Sequence, residues 1–177
     1  ADSSLWRGHK VSVVGVPTLE VGKMVTVVAD KCVVASVPYF SVRQCGVKDM
    51  FGRVSEEVRQ VNKSGLPVIF MAHAAIVGSN ASGQDDGIGG MDCAPLSDFG
   101  DAYDYLALGH IHRPQSIKGS QGRARYCGTP LQVSFDEDYP HGVDVVTIDD
   151  SRQVEVRSVT FHPLRRLVTL PKKPESF

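Results

Sequence analysis

The chain has 177 residues, 42% hydrophobic and 22% charged, with a formal net charge of -1. This balance fits one globular domain rather than a disordered chain, and no apolar run approaches the roughly 18 residues of a membrane span. A near-neutral charge also argues against nucleic-acid binding through a broad basic surface, leaving local patches, metal ions or a partner to provide it.

The N-terminus, Ala-Asp-Ser-Ser-Leu-Trp-Arg, lacks the basic start and apolar core of a secretory signal, and it lacks an initiator Met. A processed chain or a fragment is expected. Valine-rich runs at 11–16, 24–29 and 32–37, bounded by Gly, Pro or charge, predict three short strands. Residues 49–63 predict a helix with Met50, Val54, Val58 and Val61 on one side, stopped by Ser64-Gly65. The continuous apolar run 66–72 predicts a strand covered on both faces, and it ends at His73. A Gly-, Ser- and Asp-rich stretch, 78–90, predicts an irregular surface loop near the site. It lacks the Walker spacing of a phosphate-binding loop.

A second apolar run, 103–108, ends at Gly109-His110-Ile111-His112. Short strands are expected beyond it at 124–127, 142–148, 153–161 and 167–170. Buried strand, helix and buried strand followed by alternating strands is the pattern of an α/β layered fold. The four cysteines, Cys32, Cys45, Cys93 and Cys127, form no C-x-x-C pair. That spacing predicts neither a disulfide framework nor a zinc-thiolate site, and it fits buried thiols in a reducing, cytoplasmic setting.

The segment richest in chemistry is Gly109-His110-Ile111-His112. Residues i and i+2 of an extended chain point to one side, so both imidazoles can face one site where a buried strand leaves the sheet. His73 arrives at the end of another buried strand. Three histidines on neighbouring strand ends suit a transition metal such as Mn, Fe or Zn. The lone histidines His9, His141 and His162 read instead as capped or solvated side chains. Arg113 reads equally as a contact to a DNA phosphate or as a locally paired arginine. Arg123, Arg125, Arg165 and Arg166 read as a solvated basic face, with contact to DNA or a partner as the alternative. Trp6 and the five tyrosines show no interleaving with basic residues that would make a single-strand stacking platform.

The run from Asp104 to Gln115, DYLALGHIHRPQ, resembles the GHxH block of calcineurin-like metallophosphoesterases, in the wording of SbcD-type DNA nucleases. Tyr126-Cys127-Gly128-Thr129-Pro130, running into Ser134, Phe135 and Glu137, resembles the next block of that family. Ala72-His73 resembles its earlier metal-binding histidine, and Pro163-Leu164-Arg165-Arg166-Leu167 the basic strand that follows. The likeness runs from about Val33 to Leu170. It implies a metallophosphoesterase-type α/β/β/α sandwich with only the C-terminal half represented, residues 1–162, and a strand and tail, 163–177, leading out of it. It also implies two divalent ions, Mn before others, with His73 and His110 on one and His112 on the other. The implied reaction is hydrolysis of DNA phosphodiesters, exonucleolytic at duplex ends and endonucleolytic on hairpins. The implied partners are DNA, an SMC-like ATPase of the SbcC type and a second copy of the chain.

The family's N-terminal motifs, D-x-H, G-D-x-x-D and G-N-H-[DE], supply its remaining ligands and its catalytic histidine. On this reading none of the three is found in the chain. The resemblance therefore implies a truncated chain holding half of a metal site. Two rival functions are a phosphoesterase acting on a small ester and a non-catalytic piece that folds, dimerises or binds a partner.

Overall fold

A computed structural model describes residues 11–41, 46–81 and 93–168. Their central feature is a six-stranded sheet. Its members are β1 (Val25–Val28), β2 (Cys32–Val37), β3 (Val68–His73), β6 (Tyr105–Gly109), β7 (Gln115–Ser116) and β8 (Ala124–Tyr126). Across the sheet they stand in the order β1-β2-β3-β6-β8-β7. The middle strands β2, β3, β6 and β8 run parallel, and β1 and β7 close the two edges antiparallel. A two-residue parallel pair, β4 (Ala75–Ile76) with β5 (Cys93–Ala94), stands beside the sheet. A hairpin, β9 (Gly142–Ile148) with β10 (Val154–Thr160), forms a separate antiparallel ladder. The mixed α/β class is therefore as expected from the sequence.

The helix α1 (Met50–Val61) covers one face of the sheet. Asp49 caps it by accepting the Gly52 amide at 3.1 Å, satisfying a donor that the first turn leaves without a helical partner. Its buried residues are Met50, Phe51, Val54, Ser55 and Val58, so Ser55 belongs to the stripe and Val61 is exposed. Ser55 is satisfied by donating to the Phe99 carbonyl at 2.8 Å. Phe51 stacks on Phe99 at 4.1 Å between ring centroids, and Phe70 meets Phe99 edge-on at 5.3 Å. Together with Val33, Ala35, Val37, Leu106 and Ala124 they make the core.

The opposite face of the sheet is thinly covered. Strand β3 alternates, with Val68, Phe70 and Ala72 buried and Met71 47% exposed. The apolar run predicts a strand buried on both faces, and the structure gives one buried on the helix side only. The hairpin shields part of the other face, where Arg125 pairs with Asp144 at 2.9 Å. Arg152 ties the hairpin turn to the sheet by pairing with Asp104 at 2.9 Å and donating to the Gly65 carbonyl.

Several expectations are corrected. Residues 11–16 form no strand despite their valines, because nothing among the described residues offers them a ladder. Met24 belongs to a 3-10 turn (Val21–Met24) rather than to β1. Leu167 and Val168 are not in a strand, while residues 169–177 lie outside the described residues, as do Trp6, His9, Cys45 and most of the glycine-rich stretch. Cys32, Cys93 and Cys127 are free, but Cys93 is exposed and the other two are half-buried rather than core residues. No helix among the described residues is long and apolar enough to cross a membrane.

The two faces of β3 give a direct test in urea denaturation. Phe70→Ala should destabilise the chain by about 3–5 kcal/mol, as large core truncations do, and Met71→Ala by less than about 1 kcal/mol. Equal losses would contradict a one-sided core.

Candidate metal centre

The site lies at the C-terminal ends of β3 and β6. Their parallel register sets Ala72 beside Leu108 and His73 beside Gly109. Gly109 lets the His73 ring lie close: a Cβ there would stand 3.1 Å from His73 Nδ1, and the ring would have to shift by a few tenths of an ångström. The chain after His73 is held by Tyr126, whose hydroxyl donates to the Ala74 carbonyl at 2.7 Å and accepts the Ile76 amide at 3.0 Å.

His110 follows β6 with φ of +100°, a left-handed backbone rare outside glycine. Such strain costs about 1–3 kcal/mol and persists where the surroundings impose it. The H-x-H segment is therefore not extended. The chain turns at His110, buries Ile111, and delivers the two imidazoles by a turn rather than from one strand face. Gly128, at φ +78°, lets the next loop approach: a Cβ there would lie 2.5 Å from the His112 carbonyl, which instead accepts the Thr129 amide at 3.1 Å.

The His73 and His110 rings meet edge to face with centroids 5.3 Å apart. Two imidazoles on one ion, at about 2.1 Å per bond, place their centroids no more than roughly 6.5 Å apart, so this pair fits a shared ion. Tyr39 stacks on His110 at 6.0 Å and stands edge-on to His73 at 6.2 Å. Beside the pair opens a cavity of about 440 Å³ whose lining includes Tyr39, Lys48, Cys93 and Asp98. Burial holds both histidines below the ordinary imidazole range, and the neighbouring histidines push the same way. A neutral imidazole is the form that binds a metal.

His112 is arranged differently. Its Nδ1 lies 2.7 Å from Glu137 Oε1, and the Glu137 side chain is fully buried. The other carboxylate oxygen accepts the amides of Val133 at 2.8 Å and Ser134 at 3.4 Å. Burial alone would raise the Glu137 carboxyl, but the Val133 amide and the His112 ring outweigh it and hold it below the ordinary range. His141 takes the capped alternative: its Nδ1 meets Thr129 Oγ1 at 3.0 Å and its Nε2 lies 3.9 Å from Glu137. Among the described residues, no group of three or more His, Cys, Asp or Glu is arranged to hold an ion. The donors present fit part of a metal site, a convergent pair and a third ring anchored from behind.

Arg113 lies over the Tyr139 ring at 5.0 Å, the locally paired arrangement. Arg123 and Arg125 are also engaged locally, by Tyr103 and by Asp144 with Ser116, while Arg165 and Arg166 are exposed. The expectation that no G-D-x-x-D occurs is corrected: Gly100-Asp101-Ala102-Tyr103-Asp104 spells it, although it follows His73 in sequence and precedes β6. Asp101 pairs with Arg59 at 2.7 Å and Asp104 accepts the Val68 amide, so both serve the fold at the far end of these strands. Sequence reasoning gave Tyr39 no role, placed Glu137 only within a block resembling the family's without assigning it a function, and read His141 as capped or solvated. Glu137 stands 25 positions from His112, and no local spacing announces such a pair.

Fold and site together define an α/β protein with histidines clustered at the C-terminal edge of a parallel sheet. The chain is similar to SbcD-type nuclease subunits over part of its length. It is 47% identical over 74 residues to the SbcD subunit of the SbcCD nuclease of Escherichia coli strain K12, covering 41% of this chain and 18% of that protein. It is 41% identical over 87 residues to the corresponding SbcD subunit of Rhodobacter capsulatus, covering 47% of this chain and 21% of that protein. With the SbcD subunit of Staphylococcus epidermidis the figures are 32% over 102 residues, 56% of this chain and 26% of that protein. The matched stretches thus span about a fifth to a quarter of these relatives' lengths. No family model matches the chain.

The titrations predict a pH dependence of one sign. A histidine whose folded pKa is lowered binds fewer protons folded than unfolded, so its contribution is lost as pH falls from about 6.5 toward the folded value. A carboxylate with a lowered pKa contributes above its ordinary value and loses that contribution on further acidification. The thermal midpoint of the metal-free chain should therefore fall steadily below about pH 6.5, measured by circular dichroism. A midpoint that rises on acidification through this window would contradict the histidine burial.

Proposed function

We propose that this chain is the C-terminal part of the nuclease domain of an SbcD-type subunit and takes part in metal-dependent hydrolysis of DNA phosphodiesters. The observation that carries the proposal is the 47% identity to the Escherichia coli SbcD subunit, joined to the histidine geometry above. On this reading residues 1–162 are half of the nuclease domain and 163–177 lead out of it. The sandwich implied by the resemblance would place a second sheet against the thinly covered face that carries Met71.

His73 and His110 would hold one divalent ion and His112 the other, with Mn the metal that the resemblance favours. Such ions supply a nucleophilic water at neutral pH and offset charge on the attacking and leaving oxygens. The chain's own contribution is to keep His73 and His110 neutral by burial and to present them from adjacent strand ends. The remaining ligands and the catalytic histidine would come from sequence outside these 177 residues. Exonuclease action at duplex ends, endonuclease action on hairpins, an SbcC-like ATPase partner and a homodimer complete the proposal, with a cytoplasmic setting. Arg113 would reach DNA only by leaving Tyr139.

The absence of a closed ligand set among the described residues favours a second reading, a non-catalytic piece that contributes contacts alone. Joined to an N-terminal segment bearing D-x-H, G-D-x-x-D and G-N-H-[DE], the chain should degrade linear duplex DNA in Mn²⁺ and prefer it to a small chromogenic phosphodiester. His110→Ala in that protein should lower the rate at least about a hundredfold, since metal-ion stabilisation is worth several kcal/mol. Undiminished activity in that variant would remove His110 from the metal site. No hydrolysis of either substrate by the joined protein would support the non-catalytic reading.

A further inference from the structure

His112 is gripped from behind by a side chain whose role no sequence motif states. Glu137 is fully buried, and its two oxygens have separate duties. Oε1 takes the His112 ring at Nδ1, 2.7 Å away, while Oε2 is fastened to the Val133 and Ser134 amides. A buried carboxylate loses its hydration, and that loss is tolerable only where hydrogen bonds replace it. Here two of the three replacements fasten the carboxylate to the backbone and the third fixes a ring. The loop that brings Glu137 in is itself seated on the H-x-H segment through the Thr129 amide and the Gly128 approach to the His112 carbonyl. Both ends of this loop thus register on His112, one on its backbone and one on its imidazole.

We propose that Glu137 is a positioning residue: it holds His112 in the Nδ1–H tautomer and turns Nε2 toward the side of the site occupied by His73 and His110. A carboxylate accepts only, so the ring nitrogen facing it must carry the proton. The nitrogen left with a lone pair is then Nε2, the one turned away. A carboxylate behind a histidine in this way fixes ring orientation and raises the basicity of the ligating nitrogen. Nearby, His141 Nε2 lies 3.9 Å from the other Glu137 oxygen and so approaches the carboxylate rather than the His112 ring. The role of Glu137 toward a metal rests on the metal reading proposed above. The orientation of the ring does not.

The test uses this 177-residue chain with ¹⁵N-labelled histidine, with Glu137→Gln and Glu137→Ala as variants. Long-range ¹H–¹⁵N spectra should show His112 as the Nδ1–H tautomer in the parent chain. In Glu137→Ala the ring should revert to the Nε2–H form favoured by a free imidazole. In Glu137→Gln, which keeps the side-chain volume and an acceptor for Val133, the preference should weaken while the amide spectra of β6 and β8 stay in place. Affinity for Mn²⁺ at His112, followed by electron paramagnetic resonance, should fall about 10- to 100-fold in Glu137→Ala. An unchanged His112 tautomer in both variants, or an Nε2–H form in the parent, would overturn the proposal. Unfolding of both variants would overturn it too, making Glu137 a structural anchor of its loop. A parent chain that shows the expected tautomer but binds no Mn²⁺ would instead remove the metal reading and leave the orientation by Glu137 intact.

Discussion

The parallel register of β3 and β6 puts His73 level with Gly109, and the arrangement of the site follows from it. With both strands ending at the same height, the first side chain beyond β6 is delivered beside the last side chain of β3. The missing Cβ of Gly109 leaves space for the His73 ring, and the left-handed turn at His110 brings the second ring across to meet it. A shift of one residue in this pairing would exchange the faces of β3, moving Phe70 out of the core and Met71 into it. The core fixes the register: Phe70 is locked between the sheet and Phe99, and Phe99 is in turn stacked on Phe51 of the helix. Packing on the helix side thereby sets the geometry of a site at the strand ends.

The site has two kinds of histidine. His73 and His110 are held by backbone geometry and kept neutral by burial, and an aromatic ring, Tyr39, stacks beside them. His112 is held by a buried carboxylate that arrives on a later loop. Between the pair and the single ring, no group of three or more His, Cys, Asp or Glu among the described residues is arranged to hold an ion.

Much of this was legible in the sequence because local patterns carried it. The helix was marked by its apolar side and the Ser64-Gly65 stop, and β2 by a valine-rich run bounded by Gly, Pro or charge. The placement of His73 and His110 followed from apolar runs that stop at a histidine. What stayed hidden depended on partners distant in the chain. Residues 11–16 have the composition of a strand, and composition cannot say whether a neighbour is present to pair with. Whether β3 is covered on one face or two depends on what packs there, and its own residues read the same either way. The positive φ of His110 overrode the alternation expected of an H-x-H pair. Glu137 and His141 became part of the site only when the loop closed over Gly128 and Thr129.

The central claim is that His73 and His110 share one divalent ion. A crystal of the chain grown with Mn²⁺ and measured near the manganese absorption edge tests it most directly. An anomalous peak bonded to both rings at about 2.2 Å is the result this geometry predicts. A map with both rings ordered as described, Mn²⁺ bound elsewhere and no peak between them would contradict it.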